Sequence, residues 1–226
     1  MKITLRNKYL SQQRFNRYLL ATDNSNLRAK KLYMANIRLA QSFHPVLSQF
    51  EVILRNNLNL VLSSYFMDPD WIINQKTGFM NDPTLVASRF FLKRCVQDAE
   101  NSLRRRSLSV SSGKIIAEQM FGFWIAFFVP HHYALIDGQP MQIFPHKPRT
   151  EDRASLHRKL EAIKNYRNRM NHCEPLCFNE NAINSHYALY IRSILYDLIT
   201  WMDPALVPYF QRIDNIPGKA AQVMRV

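Results

Sequence analysis

Apolar residues recur every three or four positions along most of this chain, which is the spacing of helices that bury one face. The clearest stretch opens at Pro45 and reaches Phe66, with apolar side chains at Val46, Phe50, Ile53, Leu54, Leu58, Val61, Leu62 and Tyr65. The same periodicity predicts further helices over residues 7–20, 25–43, 83–108, 114–128, 151–172, 181–202 and 204–212. The pattern therefore predicts an all-α bundle.

Helix starts are marked by side chains that accept hydrogen bonds from free amides. Asp82 and Asp203, each followed by proline, are predicted to begin helices in this way, and Thr150 to begin the one at residue 151. Residues 130–148 hold four prolines and Gly138, which predicts a loop. We expect one domain over residues 1–215 and a poorly ordered tail over residues 216–226.

Charge narrows the choice of partner. The chain of 226 residues carries 30 Lys and Arg against 17 Asp and Glu, a net charge of +13. Such an excess favours a polyanion, with nucleic acid ahead of an anionic membrane surface or of charge that serves solubility alone.

The lengths of the apolar runs and the number of cysteines indicate the cellular compartment in which we expect the protein. The first six residues lack the apolar core of a signal peptide, and three cysteines cannot form a disulfide framework by themselves. The longest apolar run, Met120–Val129, is shorter than the roughly 20 residues of a membrane span. We therefore expect a buried core helix there and a cytoplasmic protein.

A candidate chemical site lies at the end of the helix predicted over residues 151–172, where the chain reads Arg167-Asn168-Arg169-Met170-Asn171-His172. It combines an obligate cation, a polar amide and a titratable imidazole. Cleavage of a phosphodiester needs charge stabilisation and proton transfer at one phosphate. Spacing alone is weak support, because Arg38 and His44 form a second match. We interpret that second pair as ordinary residues near a helix end.

The helical phase of Arg167 supports it as a residue of the candidate site. At about 100° per residue, Arg167 falls within the apolar stripe that begins at Leu156 and continues through Leu160 and Ile163. A guanidinium on that side needs an anionic or carbonyl partner, which is either a buried carboxylate or a ligand.

Asn168 and His172 lie one turn apart, but Arg167 and His172 are about 140° apart on a straight helix. Two arrangements would bring them to one phosphate. Either the helix loosens before His172, because Pro175 disfavours helix at Glu174, or two copies of the segment face each other across a dimer. A third interpretation leaves His172 as a histidine hydrogen-bonded at a helix end.

Three segments resemble one protein family. The stretch from Tyr166 to Pro175, which reads YRNRMNHCEP, is similar to the active-site signature of HEPN-domain RNases. Together with Phe50–Asn57 (FEVILRNN) and the aromatic run Met120–Phe128, it resembles the Abi-like abortive-infection proteins of bacteria, in which the three segments come in this order. The resemblance covers roughly residues 30 to 200.

The resemblance implies a HEPN-like helical bundle with additional N-terminal helices that acts as a metal-independent endoribonuclease without a cofactor. Arg167 would contact the scissile phosphate, His172 would act as general acid or base, and Asn168 would orient either one. The products would be a 2′,3′-cyclic phosphate and a 5′-hydroxyl. The family further implies a homodimer, a role in phage defence or toxin–antitoxin control, and an antitoxin made of RNA or protein. The alternative is a non-catalytic module that binds RNA or a nucleotide.

Other residues are candidates for supporting roles. Lys164, Arg169 and Asn171 flank the motif and are predicted to bind RNA. Glu51, Arg55 and Asn56 are predicted to give structural support, with Glu51 and Arg55 spaced for an ion pair within one helix. Cysteine and histidine lack the repeated short spacing of structural zinc sites, so no metal site is predicted. The ligands considered were His172, Cys173 and Cys177, with His131, His132 and His146.

Overall fold

Helices dominate the computed structural model, which describes residues 3–226 of the chain. The α-helices are α1 (Ile3–Tyr9), α2 (Gln12–Leu20), α3 (Asn26–Phe66), α4 (Trp71–Asn74), α5 (Phe91–Arg105), α6 (Ser112–Glu118), α7 (Phe121–Ala126), α8 (Pro130–Ala134), α9 (Arg153–Asn171), α10 (His186–Met202), α11 (Val207–Ile213) and α12 (Ile216–Met224). One short antiparallel hairpin, β1 (Phe178–Asn179) and β2 (Ala182–Ile183), precedes α10. The all-α prediction is confirmed.

The chain divides into two compact units, each assembled from separate stretches. The first contains the described residues up to Ser48 together with Asn165–Asp197 and Ala205–Val226, and the second contains Gln49–Lys164 and Leu198–Pro204. The single domain over residues 1–215 stays a prediction. The segment from Arg167 to His172 lies wholly in the first unit.

The longest helix, α3, differs from the prediction at Pro45. The sequence predicts one helix ending at Phe43 and another opening at Pro45, but α3 continues through this proline. Proline has no N–H, so the carbonyl of Gln41 loses its helical donor. Phe43 and Val46 on either side of Pro45 are fully buried. Burial of these two side chains offsets the loss of one hydrogen bond, because each is worth about 1.5–3 kcal/mol.

Left-handed and extended residues interrupt two other predicted helices. Asp82 does cap a helical start, since its Oδ1 accepts the N–H of Thr84 at 2.9 Å. A 3₁₀ turn at Pro83–Ser88 then ends at Arg89 and Phe90, both left-handed, before α5 begins. Gln119 and Met120 are extended and separate α6 from α7.

The ends of the chain and of the proline-rich segment are more ordered than predicted. Residues 216–226 were expected to form a poorly ordered tail, but α12 occupies Ile216–Met224 and buries Ile216, Ala220 and Val223. Proline at the second position of α12 fits a helix start, which needs no N–H there. The predicted loop at 130–148 contains α8 and a 3₁₀ turn at Gln139–Ile143.

The aromatic run forms the core of the second unit. Phe123, Trp124 and Phe127 are at most 1% exposed, and the ring of Phe127 meets that of Trp71 edge-on at 5.9 Å. These rings are therefore closed to stacking with bases. Among residues 3–226 no helix combines the length and apolarity needed to cross a membrane.

His132 in α8 is buried with only one of its ring nitrogens bonded. Nδ1 lies 2.9 Å from the carbonyl oxygen of Ala126 and donates to it, while Nε2 is buried without a partner. Burial lowers the pKa of His132 to about 4, from an ordinary 6.5. The neutral imidazole is therefore the form that the fold accepts.

Acid is expected to weaken the fold through His132. Between the folded pKa near 4 and the unfolded value of 6.5, the unfolded chain binds the extra proton. Stability is therefore complete above pH 6.5 and is lost as the pH falls towards 4, by on the order of 3 kcal/mol. The contribution of His132 to the free energy of unfolding is measured by urea unfolding at several pH values. The wild type is compared with His132→Asn, whose amide can still donate to Ala126. An equal pH slope in both proteins would contradict it.

Candidate active site at the end of α9

Regular helical geometry continues through the whole motif. The N–H of His172 donates to the carbonyl of Asn168 at 2.9 Å, one residue past the end of α9. Cys173 is left-handed, with φ 55°. The N–H of Glu174 then reaches the carbonyl of Arg169 at 2.8 Å, which closes the helix in a Schellman turn. The helix does not loosen before His172, so one of the two predicted ways of joining Arg167 and His172 is absent.

The three motif side chains differ in exposure. Asn168 and His172 are exposed, and their spacing of four residues places them on one side of the helix. Arg167 is half-buried, as its phase in the apolar stripe predicted, and Leu156, Leu160 and Ile163 of that stripe are fully buried. Because the helix is regular, Arg167 and His172 stay about 140° apart around its axis.

Two guanidinium groups bind the carbonyls that follow α9. Arg14 of α2 donates to the carbonyl of Cys173. Arg169 donates to the carbonyl of Pro175 at 2.9 Å and pairs with Glu174 at 3.3 Å. The carboxyl end of a helix carries partial negative charge that repels a phosphate. Arg14 places a cation at this end of the helix, whereas Glu174 offsets the charge of Arg169.

Arg17 of α2 holds the next segment. It donates to the carbonyl of Glu180 and lies over the ring of Phe178, 4.6 Å from its centroid. Arg14 and Arg17 are three residues apart and so share one face of α2. The only signal for these two arginines in the sequence is their spacing on a short helix, because their targets lie about 160 residues further along the chain.

The buried side-chain amide of Asn36 binds the segment that follows the motif. Asn36 of α3 is 7% exposed, and its Oδ1 accepts the N–H groups of Leu176 at 2.7 Å and Cys177 at 3.2 Å. Neither amide takes part in a helix or in the β1–β2 pairing. Asn36 is therefore the residue that lets this turn enter the core.

One of the two cysteines beside the motif is a buried thiol. Cys177 is fully buried, and burial raises the pKa of its thiol to about 12. Across residues 3–226, no group of three His, Cys, Asp or Glu side chains is arranged to hold a metal ion.

Two surface depressions flank the end of α9. One, the histidine depression, has a volume of about 480 Å³ and is lined by Ala40, Gln41, His44, Pro45, Met170 and Asn171. The other, the tyrosine depression, has a volume of about 520 Å³ and is lined by Arg169, Phe178, Asn179, Asn184, His186, Tyr187 and Tyr190. The sequence predicts an ordinary helix-end residue at His44, but α3 does not end there and His44 shares a depression with Asn171.

The tyrosine depression offers aromatic surface to a ligand. Tyr187 and Tyr190 are 42% and 54% exposed, and their ring centroids lie 5.9 Å apart. Exposed rings beside a guanidinium suit the stacking of bases. The signal for this pair in the sequence is its spacing, because tyrosines three residues apart share one face of α10.

The residues predicted to bind RNA or to support the site fall in different settings. Lys164 pairs with Glu161 at 2.5 Å, and Asn171 is exposed. Arg169 binds Glu174 and the carbonyl of Pro175. Glu51 and Arg55 are half-buried and Asn56 is exposed. The Nε of Arg55 is buried without a hydrogen bond, and the pair of Arg55 with Glu51 stays a prediction.

No protein-family model, curated protein or solved structure matches this chain.

Proposed function

We propose that the protein is a metal-independent endoribonuclease that cleaves RNA at the end of α9. The observation that carries this proposal is the exposure of Asn168 and His172 together on one side of a helix end. Arg14 and Arg169 donate hydrogen bonds to the carbonyls of Cys173 and Pro175, which follow that helix end. The sequence resemblance to HEPN-domain RNases supports the same residues.

The chemistry needs only protein side chains and the RNA itself. The 2′-hydroxyl attacks the adjacent phosphorus and the bond to the 5′-oxygen breaks, which leaves a 2′,3′-cyclic phosphate and a 5′-hydroxyl. His172 serves either as the base for the 2′-hydroxyl proton or as the acid for the 5′-oxygen. Arg167 stabilises the charge that develops on the phosphate, and Asn168 orients the histidine or the phosphate.

A second copy of the chain completes the site in this proposal. Arg167 and His172 point about 140° apart on a regular helix, so one α9 does not direct both side chains at the same phosphate. Two α9 ends related by a twofold axis supply a second copy of each side chain to the shared surface. A homodimer with the motif at its interface is therefore part of the proposal.

The tyrosine depression supports RNA as the substrate. Tyr187 and Tyr190 are exposed beside Arg169, which belongs to the motif helix. A base next to the scissile phosphate stacks on these rings in the proposed complex. In the host, such an RNase would act in abortive infection or as a toxin held in check by an RNA or protein antitoxin.

Incubating the protein with single-stranded RNA in excess EDTA tests the activity. We expect cleavage at an undiminished rate, with 2′,3′-cyclic phosphate and 5′-hydroxyl ends identified by mass spectrometry. A chain with alanine at both Arg167 and His172 is the control for a contaminating nuclease. Cleavage that stops in EDTA, or that leaves 5′-phosphate ends, would refute the proposed chemistry.

The net charge of +13 also favours a second candidate, a non-catalytic module that binds RNA or a nucleotide. Such a module would bind RNA in a salt-dependent manner without breaking the strand. It would also bind RNA equally well with alanine at His172. The same assay distinguishes the two functions.

A further inference from the structure

A continuous surface path leads away from the motif along α3. The histidine depression shares Gln41 and Pro45 with a second depression that Arg38, Asn215 and Lys219 also line. Arg38 in turn lines a third depression with Lys30, Lys31 and Met34. We call the three together the α3 path. It begins beside Asn171, the neighbour of His172, and ends near the start of α3.

The cations of the α3 path are available to a ligand. No Asp or Glu lines any of its three depressions. Among the described residues, Lys30, Lys31, Arg38 and Lys219 have no acidic side chain within ion-pair distance. Elsewhere the basic residues are often neutralised locally, as in Lys159–Glu151 at 2.8 Å and Arg192–Asp214 at 2.5 Å. Unpaired cations in a row attract a polyanion most strongly.

The dimensions of the path fit a strand. Residues 27 to 45 of α3 span about 27 Å at the rise of an α-helix, which is enough for several nucleotides. Leu27 and Met34, 66% and 48% exposed, add apolar surface against which bases can lie. Cleavage by a 2′-hydroxyl needs the attacking and leaving oxygens in line, which a flexible single strand permits and a regular duplex resists.

We infer that the α3 path binds the single-stranded RNA substrate beyond the cleavage point, with Lys30, Lys31, Arg38 and Lys219 contacting successive phosphates. The inference builds on the proposed RNase function and extends it to the substrate: a single strand long enough to reach from His172 to Lys30. Phosphate contacts carry no sequence information, so this part of the site sets affinity and position without selecting bases.

Binding to a fluorescent 20-nucleotide single strand whose riboses carry 2′-O-methyl groups, and which therefore cannot be cleaved through a 2′-hydroxyl, tests the path apart from cleavage. The test variant carries Lys30→Gln, Lys31→Gln and Arg38→Gln. Its matched control carries Arg89→Asn, Arg94→Gln and Arg105→Gln, three exposed arginines of the second unit without an acidic partner among the described residues. Asparagine is chosen at position 89 because that residue is left-handed. Both variants lower the net charge by the same amount.

The test variant is expected to bind at least about 30-fold more weakly at 0.1 M salt, with a salt slope reduced by about 2, because each lost phosphate contact removes about 0.7 from the slope. The control should keep the wild-type slope. A dinucleotide too short to reach the path should be cleaved equally by all three proteins. Unchanged thermal unfolding shows that the test variant is folded.

The outcomes separate the two proposals. If both variants lose affinity equally, or if neither loses affinity, the α3 path is not the RNA-binding surface. If the wild-type protein binds RNA through the path but never cuts an unmodified strand, the binding role of the path is supported and the RNase activity is refuted. Failure of the wild type to bind RNA at all would overturn the path as an RNA site.

Discussion

Alanine at His172 or at Arg167 is expected to lower the rate of RNA cleavage at least about 100-fold each. Removing a general acid or base typically slows a reaction by a factor of about 10²–10⁴, and removing one charge-stabilising donor by about 10²–10³. Initial rates on a single-stranded RNA in EDTA measure both effects. Asn168→Ala should have a smaller effect, because an orienting residue does not itself take up charge or a proton.

Matched surface changes provide the control. His131→Ala and Arg105→Ala remove an exposed histidine and an exposed arginine outside the motif, and we expect near wild-type rates from both. If both motif variants cleave RNA at near wild-type rates, the catalytic site does not lie at the end of α9. Far-UV circular dichroism and urea unfolding establish that each variant is folded. The exposure of His172 makes a large stability change unexpected, because surface substitutions are usually within about 0.5 kcal/mol.

Mixing wild-type chains with chains that carry both alanines tests whether the site is shared. After unfolding and refolding together at equal amounts, about one quarter of the dimers contain two wild-type chains. If each site needs side chains from both chains, activity falls to about one quarter of that of the all-wild-type sample. A site within one chain would leave about one half. Refolding the two single variants together should yield inactive dimers if all four side chains act on one phosphate.

Sequence periodicity predicted those features that depend on local spacing. The helix that carries the motif, the buried positions of Leu156, Leu160 and Ile163, and the half-buried setting of Arg167 all follow from 3.6 residues per turn. Asp82 accepts an amide at a helical start, as its side-chain chemistry predicted. These features need no knowledge of which distant segments meet.

The errors arose where tertiary packing outweighed a local preference. Pro45 is a helix breaker in isolation, but α3 passes through it because the residues on both sides are buried. The sequence predicted a poorly ordered tail over residues 216–226, but three side chains of α12 are buried. Isolated helices of this length are marginal in water, so packing decides whether they form.

The surroundings of the motif were beyond prediction from sequence. Arg14 is 159 residues from the carbonyl that it binds, and no spacing rule connects them. Regular geometry through His172 depends on Cys173, which adopts the left-handed conformation that glycine usually takes after a helix. The sequence around Pro175 instead suggested earlier loosening. The proposal of a shared site therefore gained its main geometric support from the structure.

Replacing Asn36 with alanine is expected to destabilise the protein by about 2–6 kcal/mol. Its Oδ1 accepts two backbone N–H groups, and each buried donor left without a partner costs about 1–3 kcal/mol. Water has little access to replace it, because Asn36 is 7% exposed and Leu176 and Cys177 are 3% and 0% exposed. Urea unfolding with the slope held common to both proteins measures the change.

The control is Asn101→Ala, which removes an exposed asparagine from α5. We expect it to stay within about 0.5 kcal/mol of the wild type, as exposed substitutions usually do. Because a domain is stable by only about 5–15 kcal/mol, the Asn36 variant loses a large share of its margin. It should also release the turn at Leu176 and Cys177, so that the amides of these two residues exchange hydrogen faster than in the wild type. Wild-type stability and exchange in Asn36→Ala would show that the buried amide does not hold the turn that follows the motif.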